Sequence, residues 1–280
     1  MQPSFLFGLI AMLAWGSADF FAKKTVDKIG TYATLWWNYV FSAVMYLILF
    51  FIVAPPVAWT QQLIFLFIVG AIVTFLGYVT FYKGLEKGFV SIMSPVVACN
   101  LLIVAGLSVV FLNEQLTTTN WLGILLALAG LVTVSWPKRW SLSSFEKSIP
   151  CALGTMIFWG LSIFTMGFIA KQMGWLATAI FFRLSTFVLC LTLPMKNKKI
   201  LQFPKRVWMS VVFIALLEML GAMSLNKGSE TGLLSIAGPV ASLFPAVTLL
   251  LAHIFLRERL TKKQYGGVGA ILIGLIIVSL

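Results

Sequence analysis

Long apolar runs separated by short polar joints fill this chain from end to end. A helix that crosses a bilayer needs about 20 mainly apolar residues, because each residue advances the chain by only about 1.5 Å. The runs predict helices over 5–21, 32–54, 63–85, 89–112 and 120–136, then over 149–170, 176–195, 207–226, 233–256 and 265–280. The joints carry the residues that stop helices. Pro55 and Pro56 remove backbone donors after the second run. Thr117, Thr118 and Thr119 stand ahead of the fifth, where their hydroxyls can accept from its free amides. The pattern reads as an all-α membrane protein of ten transmembrane helices.

The polar and special residues also repeat. Sliding the chain by 144 residues brings Trp15-Gly16 onto Trp159-Gly160, Gly30 onto Gly174, and Ala33-Thr34 onto Ala177-Thr178. The same offset brings Gly77 onto Gly221, Lys83-Gly84 onto Lys227-Gly228, and Pro95-Val96 onto Pro239-Val240. Further on, Glu114 meets Glu258, Leu116-Thr117 meets Leu260-Thr261, and Gly123 and Gly130 meet Gly267 and Gly274. Apolar composition alone does not place glycines, prolines, lysines and glutamates at one constant spacing. The chain is expected to be a duplicated five-helix unit, residues 1–136 and 149–280, joined by the polar stretch 137–148. Five is odd, so the second unit enters the membrane from the opposite side. The halves are then two inverted repeats, an arrangement that in secondary transporters places the substrate site near the midplane between halves.

Composition narrows the alternatives. Of the 280 residues, 60% are hydrophobic and 10% charged, against about 25% charged in a typical soluble domain. The net charge of +12 sits almost wholly in the joints, so it reads as topology-setting and lipid-facing, with no nucleic-acid role. Cys99, Cys151 and Cys190 lie in apolar segments without metal or redox spacing. No metal and no cofactor are expected. No HExxH, GxSxG, phosphate-cradling loop or paired-carboxylate motif is present, which argues against an enzyme. The first apolar run lacks a basic leader and a cleavage site and is read as a retained helix.

Three passages carry a family likeness: Ala14-Trp15-Gly16-Ser17, echoed by Trp159-Gly160; Gly232 to Pro245; and Phe255 to Thr261, followed by Gly267 and Gly274. In order and doubling the chain resembles the ten-helix drug/metabolite transporter superfamily, specifically its EamA-type members. The resemblance implies export or exchange of amino acids, nucleotide-like metabolites, sugars or related compounds across the cell membrane. The chain departs from the family pattern where Asn113 and Arg257 precede the glutamates, and Leu101 and Tyr39 stand opposite Pro245 and Arg183. Orientation is drawn two ways. Seventeen of the twenty basic residues fall on the side of the odd-to-even joints, which places both termini outside the cytoplasm. The resemblance implies both inside.

Ionisable groups inside a bilayer cost roughly 2.5 to 3.5 kcal/mol unless a cavity or partner receives them, so they head the candidate site. Glu218, in mid-helix, is the expected proton-coupling carboxylate, with a hydrogen-bonded structural carboxyl as the alternative. Asp19 shares a helix face with Trp15, a pairing suited to a cationic or amphipathic substrate; the bland reading pairs it with Lys23. Arg183 is expected to bind a substrate carboxylate or to pair with Glu218 or Asp19, against snorkelling to the interface. Tyr78, Asn100 and the repeat-matched Trp15 and Trp159 complete the expected substrate site. Pro95 and Pro239 are read as paired hinges, and Gly266-x3-Ala270-x3-Gly274 with Gly123-x3-Ala127 as a close-packing face. Glu114 and Glu258 read as braces of a short joint or caps of the next helix. The function expected is a secondary transporter working by alternating access, an exporter or exchanger with proton coupling. A channel or lipid-linked flippase is the alternative. The partners expected are a small-molecule substrate and the lipid bilayer, with a homodimer left open.

Overall fold

The computed structural model describes residues 2–86, 93, 96–135, 142–196, 198–256 and 261–279. Among these the chain is all-α. Its longer helices are α1 (Pro3–Ile29), α2 (Thr31–Val53), α3 (Gln61–Glu86), α4 (Asn100–Leu112), α5 (Thr118–Ser135), α6 (Leu142–Met173), α7 (Trp175–Cys190), α8 (Trp208–Thr231), the broken pair α9a (Leu234–Ala241) and α9b (Phe244–Leu256), and α10 (Lys262–Ser279). Eight spans among the described residues are long and apolar enough to cross a membrane, and Val96–Leu112 is a shorter apolar helix. Phe51, Ile52, Val110, Phe255 and Ile276 stand 78%, 74%, 68%, 64% and 61% exposed. Water would not tolerate so continuous an apolar exterior, and lipid requires it. The chain is a multi-pass integral membrane protein.

Several helices extend past their expected ends. α1 runs on from Phe21 to Ile29, and Lys23 pairs with Asp27 at 2.7 Å one turn ahead. That pairing overturns the bland reading of Asp19, since Lys23 points the other way along the helix. Gly30 and Gly174 then turn the chain directly into α2 and α7 at φ of 79° and 87°, a backbone region where a Cβ would be strained. Thr34 and Thr178 each donate from their hydroxyls to those glycine carbonyls, at 2.8 and 2.7 Å.

The ninth run is two helices. It breaks at Ser242-Leu243, where Leu243 N–H donates to the Val240 carbonyl three residues back. The equivalent step in the first half is Cys99 N–H to the Val96 carbonyl. Pro239 lies inside α9a, before the break, and Pro245 lies in the first turn of α9b, where its missing N–H has no helical partner to lose. Pro95 and Glu258 lie outside the described residues. Glu114 is not a brace of its own joint. Its carboxylate accepts from Leu234 N–H at 3.0 Å and Ser235 N–H at 2.7 Å, so it caps α9a, 120 residues away in sequence. Lys171 of α6 completes this cluster, 3.1 Å from Glu114 and donating to the Gly232 carbonyl at 2.7 Å.

Contacts between the halves recur with the partners exchanged. Trp15 lies against Gly221 and Trp159 against Gly77; Gly16 meets Val247 and Gly160 meets Ile103. Asn120 Nδ2 donates to the Val278 carbonyl at 3.2 Å, and Gln264 Nε2 donates to the Val134 carbonyl at 2.9 Å. α5 and α10 therefore run antiparallel, start against end. Their seam uses Gly123, Gly130, Gly267 and Gly274, and there the close-packing expectation needs correction. Gly266 has nothing within 4 Å and faces outward. The reason is register: Gly267 and Gly274 are seven residues apart and share a face, which turns Gly266 away from it.

Candidate functional site

A cavity of about 80 Å³ lies within the bundle. Each wall is a stripe of residues three or four apart, the spacing that keeps side chains on one face of a helix. α1 contributes Trp15, Ala18 and Asp19; α3 contributes Thr74 and Tyr78; α6 contributes Trp159, Ser162, Ile163 and Met166. α7 adds Ala179, Phe182, Arg183 and Thr186, and α8 adds Glu218, Met219 and Ala222. Tyr46 and Phe244 close the remaining sides from α2 and α9b.

Two tryptophans frame the space, each seated on a glycine of the other half. Phe244 touches both ring systems edge-on, with centroids 6.4 Å from Trp15 and 5.4 Å from Trp159. Tyr78 meets Trp159 at 5.6 Å and Tyr39 at 5.8 Å. The aromatic lining is thus continuous from Trp15 to the polar end of the cavity.

That end is a buried network spanning α2, α7 and α8. Arg183 Nη2 lies 2.7 Å from Glu218 Oε2, with the two side chains 11% and 7% exposed. Arg183 Nε donates to Ser42 Oγ at 2.7 Å, and Nη2 also reaches Asn38 Oδ1 at 3.3 Å. Asn38 Nδ2 donates to Glu218 Oε1 at 3.0 Å. The guanidinium lies 4.2 Å from the Tyr39 ring centroid. Both oxygens of Glu218 are occupied, and the ion pair is supported by hydrogen bonds and a ring face, the conditions under which burial of two charges is tolerable. Thr74 and Ser162 share a hydrogen bond of 2.5 Å across α3 and α6. Asp19 differs from all of these: it lines the cavity, and among the described residues it makes no hydrogen bond or ion pair.

The structure brings six of the expected site residues, Trp15, Asp19, Tyr78, Trp159, Arg183 and Glu218, to this one cavity. It does not bring Asn100, which is wholly buried at the start of α4 and whose amide atoms find no partner among the described residues. Phe244, its equivalent at the 144-residue offset, lines the cavity instead. Arg183 pairs with Glu218 and does not snorkel. The sequence did not single out Tyr39, Ser42, Tyr46, Thr74, Ser162 or Phe244 as parts of this site. A partial signal existed: Asn38 and Ser42 are four residues apart in a mainly apolar and aromatic run, so they present one polar face. Among the described residues, no three His, Cys, Asp or Glu side chains gather to hold a metal.

Comparison with known proteins converges on the same architecture. The profile of the EamA-like transporter family matches twice, over residues 2–136 and 146–280. An uncharacterized protein of Methanocaldococcus jannaschii is 28% identical over 138 residues, which is 48% of this chain and 98% of that protein. A crystal structure of a protein superposes with a TM-score of 0.79, covering 99% of this chain and 96% of that one at 14% identity. At that identity the likeness is one of fold.

Proposed function

The chain belongs to the EamA-like transporter family, and from that premise we propose a secondary transporter that carries a small metabolite by alternating access through the cavity between Trp15 and Trp159. The single observation that supports it most is the exchange of contacts between halves. Trp15 on Gly221 against Trp159 on Gly77, and Asn120 on Val278 against Gln264 on Val134, are what two inverted five-helix units related by a pseudo-twofold axis would produce. The units are residues 1–136 and 149–280, with 137–148 as the joint. The relative from Methanocaldococcus jannaschii, matched over nearly its whole length by about half of this chain, is in keeping with such a unit. Halves of one construction can trade conformations, turning a cavity open on one face into one open on the other. The short steps at Cys99 and Leu243, with Pro239 ahead of the second, are the places where this bending would concentrate.

Trp15, Asp19, Tyr78, Trp159 and Arg183 are assigned to substrate and Glu218 to proton coupling. A proton on Glu218 would cancel its charge and loosen Arg183, whose other neighbours, Asn38, Ser42 and Tyr39, are uncharged. Asp19 is then the remaining carboxylate in the cavity. Proton binding at one residue thereby changes the partner available to another, which is the elementary requirement for coupling two ligands.

Counterflow in proteoliposomes tests the reading. A carrier gives saturable, trans-stimulated flux for some member of an amino-acid, nucleoside, sugar and amine panel. Linear, unsaturable flux indicates a pore, and no flux across the panel removes the carrier. Glu218→Gln is expected to flatten the pH dependence. Full proton-driven flux in that variant removes Glu218 from the coupling step.

A further inference from the structure

Charge arithmetic within the cavity points beyond transport in general. Among the described residues, three ionisable carboxylate or guanidinium side chains line it: Asp19, Glu218 and Arg183. Arg183 is engaged by Glu218 at 2.7 Å, which leaves the Asp19 carboxyl without a protein partner among the described residues. Asp19 also stands one helical turn from Trp15 on the same face of α1, beside a lining that continues through Phe244 to Trp159 and Tyr78. Aromatic faces attract cations and offer nothing comparable to anions.

We infer that this cavity binds an organic monocation with a flat apolar body, its ammonium on Asp19 and its ring system between Trp15 and Trp159. The assignment rests on the carrier reading only in taking this cavity as the substrate site. An anion would meet Asp19 with no free counter-charge. A zwitterion could place its amine on Asp19, but its carboxylate would have to displace Glu218 from Arg183. A neutral ring would gain the stacking and forgo the ion pair. A buried charge requires a partner, so the cavity discriminates mainly by charge, and the aromatic walls set shape.

Four indoles of nearly one shape separate these cases: tryptamine (cation), tryptophol (neutral), indole-3-propionate (anion) and tryptophan (zwitterion). Binding is measured at equilibrium on the full chain purified in detergent at pH 7.5, by calorimetry. Tryptamine is expected to bind at least about tenfold more tightly than each of the other three, the scale of one charge-assisted contact. Asp19→Asn is expected to bring tryptamine down to the level of tryptophol while leaving tryptophol unchanged. Equal or tighter binding of the anion, the zwitterion or the neutral indole by the wild-type chain overturns the assignment. So does binding of none of the four, or retention of the cation preference in Asp19→Asn. The wild-type series decides the matter even if that variant fails to fold. Tryptamine that binds but shows no counterflow leaves the site and removes the carrier. Trans-stimulated flux of an anion or zwitterion, indifferent to Asp19, leaves the carrier and removes the cation site.

Discussion

Arg183 and Glu218 meet at 2.7 Å inside the bundle, and neither has a charged counterpart in the other half, where Tyr39 and Thr74 stand at the equivalent positions. The framework of the cavity is repeated, and its charges are not. Glycines, tryptophans and helix breaks obey the 144-residue offset because both halves need the same close approaches. The residues that could distinguish ligands depart from it.

Removing one member of that pair leaves the other buried without compensation. Glu218→Leu is expected to lower stability by about 3–5 kcal/mol, and Arg183→Leu by a similar amount. The double variant Arg183→Leu/Glu218→Leu should cost less than the larger single change. Thermal unfolding of the three variants in one detergent checks it. Additive losses would mean the two side chains do not depend on each other.

Asn120 and Gln264 perform the same two tasks in each half. Each side-chain carbonyl accepts from a threonine N–H, Thr117 at 3.1 Å and Thr261 at 2.9 Å, and each side-chain amide donates across the seam to the partner helix. Asn120→Ala and Gln264→Ala should each cost about 1–2 kcal/mol, a lost cap plus a lost hydrogen bond. Paired unfolding curves should shift alike for the two variants.

The seam between α5 and α10 separates two kinds of glycine. A Cβ on Gly274 would come 2.7 Å from the Gly123 carbonyl and 2.6 Å from Ala127 N, backbone atoms that cannot yield. Gly274→Ala is expected to part the helices and destabilise by about 1–3 kcal/mol, the usual cost of overpacking. Gly266, with nothing within 4 Å, should accept alanine and gain up to about 1 kcal/mol of helix propensity. Opposite shifts in melting temperature are the expected outcome.

Glu114 holds the start of α9a through Leu234 and Ser235 and is itself held by Lys171. Glu114→Ala removes two charge-assisted bonds and should loosen that helix end by about 1–3 kcal/mol. Ser235, buried in the native fold, reports it. In a background lacking the three native cysteines, Ser235→Cys should react several-fold faster with a membrane-impermeant maleimide once Glu114 is alanine. An unchanged rate would show that α9a is held elsewhere.

Affinity of a cation at Asp19 depends on pH with a definite sign. Protonating Asp19 removes its charge, so tryptamine affinity should rise with pH until the carboxyl is ionised and then level off. Asp19→Asn should show no such rise over a range where tryptamine itself stays charged. Calorimetry between pH 5 and pH 8 checks both statements.

Much of this molecule was determined by its residue pattern alone. Apolar runs of bilayer length leave helices as the only backbone solution, because every amide must find its partner within its own segment. The 144-residue spacing is equally legible, since glycines, prolines and tryptophans at one offset have no compositional cause. Intramembrane charge singled out Asp19, Arg183 and Glu218, because lipid makes such residues costly unless a cavity or partner receives them. Only the tertiary structure decided the rest. Helix rotation chose Phe244 over Asn100 for the cavity wall and Gly267 over Gly266 for the seam, a matter of about 100° per residue that periodicity cannot resolve in helices apolar on every face. Partner choice came from long-range packing. It gave Glu218 to Arg183 and Glu114 to a helix 120 residues away, and so left Asp19 facing the cavity with no partner among the described residues.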